Sequence, residues 1–305
     1  MASSVEETKV GTRMMPYQAI LQHDLGALWA SKLVRLWLVA TVVLTFFLAA
    51  ANWPNFQDGT LIASFLFPYL VFPWFFVIVV LGVSPVSGSR AEALADGILS
   101  RPVSRWGYLL ATWSARVALV WSVYLVVVVP MILLVTLAKR PVADDTVTVY
   151  GVISSLFLVG LVQTFLVSLG VLTGTLLRRP LLAIVVLVFL WYPVGLILSV
   201  FSLEEFSPVS LSRAISTQLR RPLLKSDEGE EQTVNTEEIQ TFSRQMDNFL
   251  TVISGAKPAP EASRPEFFEG EKFEDLSVVR VALGYGVPSV VAVLLAGVCF
   301  YRRDL

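Results

Sequence analysis

The sequence predicts an all-α, polytopic integral membrane protein with six transmembrane helices, an N-terminal interfacial helix and a helical extracytoplasmic loop. Its 305 residues are 55% hydrophobic and only 15% charged, and the mean hydropathy is +0.69. These values lie outside the range of soluble globular proteins. The formal net charge is −1, so the chain lacks the basic excess that binds nucleic acid. Six apolar stretches also reach or approach the length of about 20 residues that a bilayer crossing needs.

The first segment, residues 1–32, is a predicted cytoplasmic tail that contains an amphipathic helix. Pro16 suits the first turn of this helix, because its missing N–H would have no helical partner there anyway. The apolar residues that follow recur at helical spacing: Tyr17, Ile20, Leu21, Leu25, Leu28 and Trp29. We expect the helix to lie flat at the membrane interface. The pattern does not distinguish lipid from the protein's own spans as the surface that it covers.

Residues 33–202 are predicted to hold five transmembrane helices, and residues 278–305 a sixth helix and the C-terminus. The apolar stretches lie near 33–51, 61–83, 112–137, 149–177, 181–202 and 278–301. Prolines in these spans remove backbone hydrogen bonds and predict kinks. They are Pro68, Pro73, Pro130 and Pro193. Such kinks occur both at the hinges of moving transporters and in membrane helices that never move.

The distribution of Lys and Arg predicts that both termini are cytoplasmic, and the cell membrane is the expected location. Basic residues concentrate in the tail, in a loop at 84–111, in the turn 178–180 and at the C-terminus. The loop 52–60, on the opposite side, has none. Arg116 falls inside the third span, close to its cytoplasmic end, and we expect its side chain to snorkel to the surface as an anchor.

The long segment 203–277 is predicted to lie on the extracytoplasmic side, with an amphipathic helix over 236–254. Asn235 precedes this helix, and Glu238 follows at capping-box spacing. Its apolar stripe consists of Ile239, Phe242, Met246, Phe249, Leu250 and Ile253. A second helix is predicted near 208–220. The stripe favours packing against the outer ends of the spans, and the alternatives are a cap over a substrate path or the binding of an external partner.

The cytoplasmic loop 84–111 contains a predicted short amphipathic helix. Ser89 and Glu92 have capping-box spacing, so the helix can start there without help. Pro102 limits its continuation two to three turns later. The apolar face consists of Leu94, Ile98 and Leu99. A short helix of this kind, held just off the membrane, is suited to dock into a groove of another protein.

Two segments carry a resemblance to a known family. The loop reads Glu92, then Asp96-Gly97-Ile98-Leu99-Ser100-Arg101-Pro102-Val103-Ser104-Arg105 and Tyr108-Leu109-Leu110, and the chain ends Tyr301-Arg302-Arg303-Asp304-Leu305. These segments resemble the first cytoplasmic loop and the ending of ABC-2 type transporter permeases, of the group that includes the nitrous-oxide-reductase accessory permease. The order of parts is similar too, with a charged loop between the second and third spans and a larger outer loop before the sixth.

The resemblance implies a permease subunit of an ABC transporter, an exporter, that pairs with a second permease and with two ATP-binding subunits. The loop helix would be its coupling helix. The residues expected to contact the ATP-binding subunit are Ser89, Glu92, Asp96, Gly97, Leu99, Arg101, Pro102 and Arg105. The sequence contains no Gly-x-x-x-x-Gly-Lys-Ser/Thr motif. ATP and Mg²⁺ are therefore expected in the partner chain, and no cofactor is expected in this one.

Three polar residues in the fourth span, Gln163, Thr164 and Ser168, favour interhelical hydrogen bonds, with a substrate path as the alternative. An enzyme is not expected. The only histidine, His23, lies in the tail, and the only cysteine is Cys299, which excludes a His/Cys metal cluster or a Ser-His pair within the membrane. The alternative function is a non-transporting membrane scaffold that anchors a cytoplasmic ATPase or an external partner.

Overall fold

The computed structural model is all α-helical in the part of the chain that it describes, as the sequence predicts. It describes residues 3–71, 73–84, 104–138, 140, 147–177, 179–200, 208–220 and 277–302. The helices in these ranges are α1 (Ser3–Ala30), α2 (Lys32–Asn52), α3 (Asp58–Leu70), α4 (Trp74–Val83), α5 (Arg105–Leu137), α6 (Val149–Leu176), α7 (Pro180–Val200), α8 (Pro208–Leu219) and α9 (Val278–Arg302). The predicted coupling helix and the predicted outer helix over 236–254 lie outside the described residues.

Within these ranges, five helical segments are long and apolar enough to cross a membrane. They are Lys32–Asn52, Asp58–Val83, Arg105–Leu137, Val149–Leu176 and Val278–Arg302. Each overlaps a predicted span. The remaining predicted span, 181–202, overlaps α7, which has 21 residues and no charged residue, and whose stretch Pro180–Phe189 is a shorter apolar segment. The chain is therefore a multi-pass membrane protein, and the count of six spans stays a prediction.

The second predicted span is interrupted. α3 ends at Leu70 and α4 begins at Trp74, directly after Pro73. Pro73 has no N–H to offer the carbonyl of Tyr69, four residues earlier, so the hydrogen-bond ladder of α3 cannot continue through it. Pro130, in contrast, lies within α5, which is helical on both sides of it. Of the four predicted positions, proline thus ends a helix at Pro73 and lies within a helix at Pro68, Pro130 and Pro193.

The third predicted span starts earlier than the apolar pattern indicates. We expected it to begin at residue 112, but α5 begins at Arg105. The reason is a local cap, because the backbone of Ser104 is extended and its hydroxyl accepts a hydrogen bond from the N–H of Gly107 at 3.0 Å. Hydrophobicity marks only the membrane-embedded part of the helix, whereas the cap sets its first residue.

α1 packs on the protein's own helices. It extends back to Ser3, well before the start expected at Pro16. The hydroxyl oxygen of Tyr17 lies 2.7 Å from Oγ of Ser114 on α5. The apolar side chains of α1 that pack against the core are Ile20, Leu25, Leu28 and Trp29. These four side chains of the apolar face therefore contact the protein's own helices, and an interfacial position of α1 stays a prediction.

The bundle has two ends, and we call the end that carries loop 84–111 the loop end. There the last turn of α4 contacts α6 so closely that a Cβ added at Gly174 would lie 2.8 Å from the carbonyl oxygen of Val83. The rings of Tyr108 on α5 and Phe300 on α9 stack with their centroids 6.2 Å apart. The glycine allows α4 and α6 to approach this closely. Such packing helps helices to associate in a membrane, where lipid supplies no hydrophobic drive for it.

The opposite end of the bundle, the far end, is covered by α8. This helix confirms the one predicted near 208–220. Its last carbonyl, that of Leu219, accepts a hydrogen bond from the N–H of Thr148 at 3.0 Å. The side chain of Gln218 donates to Oγ of Ser154 at 3.0 Å. α8 is therefore joined to the first turns of α6 by polar contacts.

Candidate functional site

The candidate site is the loop end, because two helix ends there carry the predicted coupling loop. α4 ends with Ser84 as its C-cap, and α5 begins after Ser104. Of the predicted partner-contact residues, the structure describes Arg105. The others lie outside the described residues: Ser89, Glu92, Asp96, Gly97, Leu99, Arg101 and Pro102. What the structure supplies is the way in which the two ends of the loop are held.

Arg105 makes a hydrogen bond within the chain. Its Nη1 donates to the carbonyl oxygen of Tyr301 at 3.1 Å. Tyr301 lies in the last turn of α9, where backbone carbonyls have no helical N–H to accept from. Arg105 thus joins the first turn of α5 to the end of α9. Its contact with a partner subunit stays a prediction.

Trp106 adds a second contact between the first turn of α5 and α9. A Cβ added at Gly297 of α9 would lie 2.2 Å from the indole ring of Trp106, so the glycine leaves the space that the ring occupies. The indole therefore packs closely against α9 at this glycine, in the way that small residues permit in membrane helix pairs. The first two residues of α5 therefore both contact the C-terminal helix α9.

Arg116, three turns into α5, holds the other end of the loop. Its side chain is inside the protein, and the residue is 6% exposed. Nε donates to the carbonyl oxygen of Leu81 on α4 at 3.1 Å, and Nη1 donates to the carbonyl oxygen of Thr112 at 2.7 Å. Nη1 also pairs with Oδ2 of Asp24 on α1 at 3.3 Å. The expectation that Arg116 snorkels to the membrane surface is wrong, because these acceptors hold the guanidinium inside.

The carbonyl of Leu81 is available to Arg116 because a proline follows it four residues later. In a continuing helix this carbonyl would accept from the N–H four residues later, but residue 85 is proline and has no N–H. The hydroxyl of Ser84 donates to the same oxygen at 2.9 Å. Arg116 and Ser84 thus both donate to a carbonyl that would otherwise have no helical partner.

The pair between Arg116 and Asp24 neutralises a charge that the bilayer would not tolerate alone. A lone guanidinium in the membrane interior is expensive, and a nearby carboxylate lowers that cost. The Asp24 side chain is 25% exposed, so the carboxylate keeps part of its hydration while the guanidinium, at 7%, keeps little. Loss of Asp24 is therefore expected to destabilise the charge of Arg116 more than loss of Arg116 destabilises the charge of Asp24.

The polar patch of the fourth span forms interhelical hydrogen bonds at two of its three residues. Nε1 of Trp121 donates to Oγ1 of Thr164, and Nε1 of Trp113 donates to Oγ of Ser168, each at 3.0 Å. Gln163 is fully buried, and neither atom of its amide has a hydrogen-bond partner among the described residues. Within those residues no group of three or more His, Cys, Asp or Glu could hold a metal ion.

Sequence reasoning missed Asp24 as the partner of Arg116, since 92 positions separate them. Two signals in the sequence pointed to it. A charged residue inside an apolar span calls for a counter-charge, and Asp24 occupies the polar side of the predicted interfacial helix. Pro85 was a further signal, because it leaves a carbonyl free at the end of the preceding helix.

The fold and this site define a class: a multi-pass helical membrane protein whose loop-bearing helix ends are fastened to its N-terminal and C-terminal helices. Residues 97–305 match the family model described as ABC-2 family transporter protein. Because the match covers more than half of the chain, the chain belongs to this family and is an ABC transporter permease. The family resemblance is confirmed, and the nitrous-oxide-reductase group stays a prediction. A comparison with curated proteins found no match.

The family match begins inside the predicted coupling loop and continues to the C-terminus. It includes the helices from α5 to α9 and therefore both Arg105 and Arg116. α1 and Asp24 lie outside it. The contact between α1 and α5 is consequently a feature of this chain that the family match does not describe.

Proposed function

We propose that this permease is the membrane half of an ATP-driven exporter built from two permease subunits and two ATP-binding subunits in the cytoplasmic membrane. The ATP-binding subunits would hold ATP and Mg²⁺, and this chain would catalyse no reaction itself. The observation that carries the proposal is the attachment of the loop. Arg116 holds Leu81 at one end of it, and Arg105 and Trp106 seat the other end on α9.

α5 is the element that would carry a displacement of the loop into the membrane. It has 33 residues without a break, which corresponds to roughly 50 Å at 1.5 Å per residue. Trp113 and Trp121 bond it to α6 along the way. A push on the loop at Ser104 would therefore move α5 and α6 together, as rigid packed elements do in shear and hinge transitions.

The loop end is the cytoplasmic end in this proposal, and both termini lie there. A cysteine-scanning experiment tests this orientation, since Cys299 is the only native cysteine and Cys299→Ala removes it. In that background Arg302→Cys is expected to resist a membrane-impermeant thiol reagent added outside the cell. Arg280→Cys, at the exposed start of α9, is expected to react. The reverse pattern would place the loop on the outside and overturn the proposal.

Affinity purification from native membranes tests the partnership. An ATP-binding subunit is expected to accompany the wild-type protein. Arg101→Glu, which reverses a charge in the loop, is expected to reduce its recovery about tenfold, equivalent to about 1.4 kcal/mol of binding free energy. Arg280→Glu makes the same charge change at an exposed residue of the far end and is expected to leave recovery unchanged. If no ATP-binding subunit accompanies the wild type, the non-transporting scaffold replaces the transporter as the function.

A further inference from the structure

A single guanidinium connects three helices at the loop end. Arg116 of α5 donates to the carbonyl of Leu81 on α4 and pairs with Asp24 on α1. α4 and α5 are the two helices to which the coupling loop is attached. The buried arginine is therefore shared between both ends of the loop and the N-terminal helix.

α1 contacts α5 through two polar side-chain pairs among the described residues. Its contacts with Ser114 and Arg116 come from Tyr17 and Asp24, which are seven residues apart on α1, whereas their partners on α5 are only two apart. The ion pair is the charged one of these two contacts, and it lies where Arg116 of α5 also donates to α4.

We propose that the Asp24–Arg116 pair is a latch that makes α1 move as one body with both ends of the coupling loop. Arg116 is a positioning residue in this sense, since it acts by holding helices and not by touching substrate or nucleotide. The inference rests on the proposed function, because the movement concerned is the one that the ATP-binding subunits impose on the loop.

The latch gives the loop a second route into the membrane besides α5. α1 ends at Ala30 and α2 begins at Lys32, with only Ser31 between them. The N–H of Ser31 donates to the carbonyl of Leu28 at 3.1 Å, and its hydroxyl caps α2 by accepting from the N–H of Val34 at 3.2 Å. A link this short and this well bonded transmits movement of α1 to α2, which is itself a candidate span.

An ion pair can be removed without unfolding the helices that it joins. Taking away one partner leaves a buried charge without compensation, but replacing both partners with apolar residues of similar volume is often neutral. Asp24→Leu/Arg116→Met is therefore the variant that opens the latch. Tyr17→Phe/Ser114→Ala is the matched control, because it removes the other polar contact between α1 and α5 and leaves the ion pair in place.

Distances between spin labels measure the latch directly. In the Cys299→Ala background, labels at Gln22→Cys on α1 and Leu110→Cys on α5 occupy exposed positions. In the isolated permease the double variant is expected to broaden the distance distribution to roughly twice the wild-type width, because α1 loses its fixed position. The control is expected to match the wild type. An unchanged distribution in the double variant would overturn the latch.

The same labels in the assembled transporter separate the latch from the proposed function. With the ATP-binding subunits bound, the wild-type distance is expected to stay constant between the nucleotide-free and ATP-trapped states, whereas the double variant is expected to change. A wild-type distance that shifts on ATP binding would contradict movement as one body. Failure of any ATP-binding subunit to bind the wild type would refute the proposed function, while the measurement on the isolated permease would still decide whether the latch exists. If the double variant does not fold, Asp24→Asn is measured in the same way with the same expected broadening.

Discussion

Gly170 of α6 and Gly82 of α4 meet backbone to backbone at the loop end. A Cβ added at Gly170 would lie 2.8 Å from Cα of Gly82, closer than side-chain carbons approach one another in folded proteins. Gly174, one turn later on α6, approaches Val83 in the same way. This spacing of small residues is the pattern by which membrane helices pack at short distance. The end of α4 that carries the coupling loop is therefore seated directly on α6.

Gly170→Ala is expected to lower the free energy of unfolding by about 1–3 kcal/mol, because the new methyl group meets backbone that cannot rotate away. Unfolding in detergent, followed by loss of helical signal, measures the change. Gly26→Ala is the control, since nothing lies within 4 Å of a Cβ at that position on α1. It is expected to be neutral or to stabilise by up to about 1 kcal/mol through helix propensity. Equal destabilisation by both variants would contradict the packing described.

Asp24→Leu alone is expected to lower the free energy of unfolding by about 3 kcal/mol, since it leaves Arg116 buried without a counter-charge. Adding Arg116→Met is expected to recover at least half of that loss, because the uncompensated charge is removed as well. A double-mutant cycle on unfolding free energies checks this coupling. Additive losses from the two single substitutions would show that the pair is not coupled and would contradict the contact.

Arg140→Lys is expected to destabilise the far end by about 1–3 kcal/mol, because one ammonium group cannot replace a guanidinium that binds in three ways. Arg140 donates through Nε to Asp58 at 3.0 Å and through Nη1 to the carbonyl of Trp53 at 2.9 Å. It also lies over the Trp53 ring, 5.3 Å from the centroid. The shift in thermal unfolding midpoint measures the loss. Arg280→Lys, at an exposed position, is the matched control, and a comparable shift there would contradict a specific role for Arg140.

Gln163→Leu is expected to raise the free energy of unfolding by about 1–3 kcal/mol, the cost of a buried polar group without a partner. The amide is fully buried and unpartnered among the described residues. Gln18→Leu, on the exposed side of α1, is the control and is expected to change stability little. Destabilisation by Gln163→Leu would instead indicate that the amide holds a water molecule or a polar substrate, and it would favour the substrate path over the packing role.

Much of the architecture followed from local rules of the sequence. The span positions follow from runs of apolar residues, and α8 follows from the helix predicted near 208–220. The interruption at Pro73 follows from its missing N–H. The start of α5 at Arg105 was missed, because an apolar pattern stops at the polar residues that the cap of Ser104 still keeps helical.

The contacts of the candidate site were harder to predict, because they join residues that are distant along the chain. The depth of Arg116 in its span predicts a surface anchor. The side chain is instead buried, because Asp24 on α1 lies close enough to pair with it. Arg105 likewise looked free for a partner, although it donates to Tyr301 at the end of α9. Periodicity reports which face of a helix is apolar, and it carries no information about which helix that face meets.

The most direct test of the account places a photo-crosslinking amino acid at Leu99, within the predicted coupling helix, in protein expressed in its native membrane. The account predicts that irradiation joins this position to an ATP-binding subunit, identified by mass spectrometry of the adduct. The same crosslinker at Val149, which is exposed at the far end, is predicted to yield no such adduct. An ATP-binding subunit joined at Val149, or none joined at Leu99 while the protein is folded and in the membrane, would contradict the coupling function of the loop end.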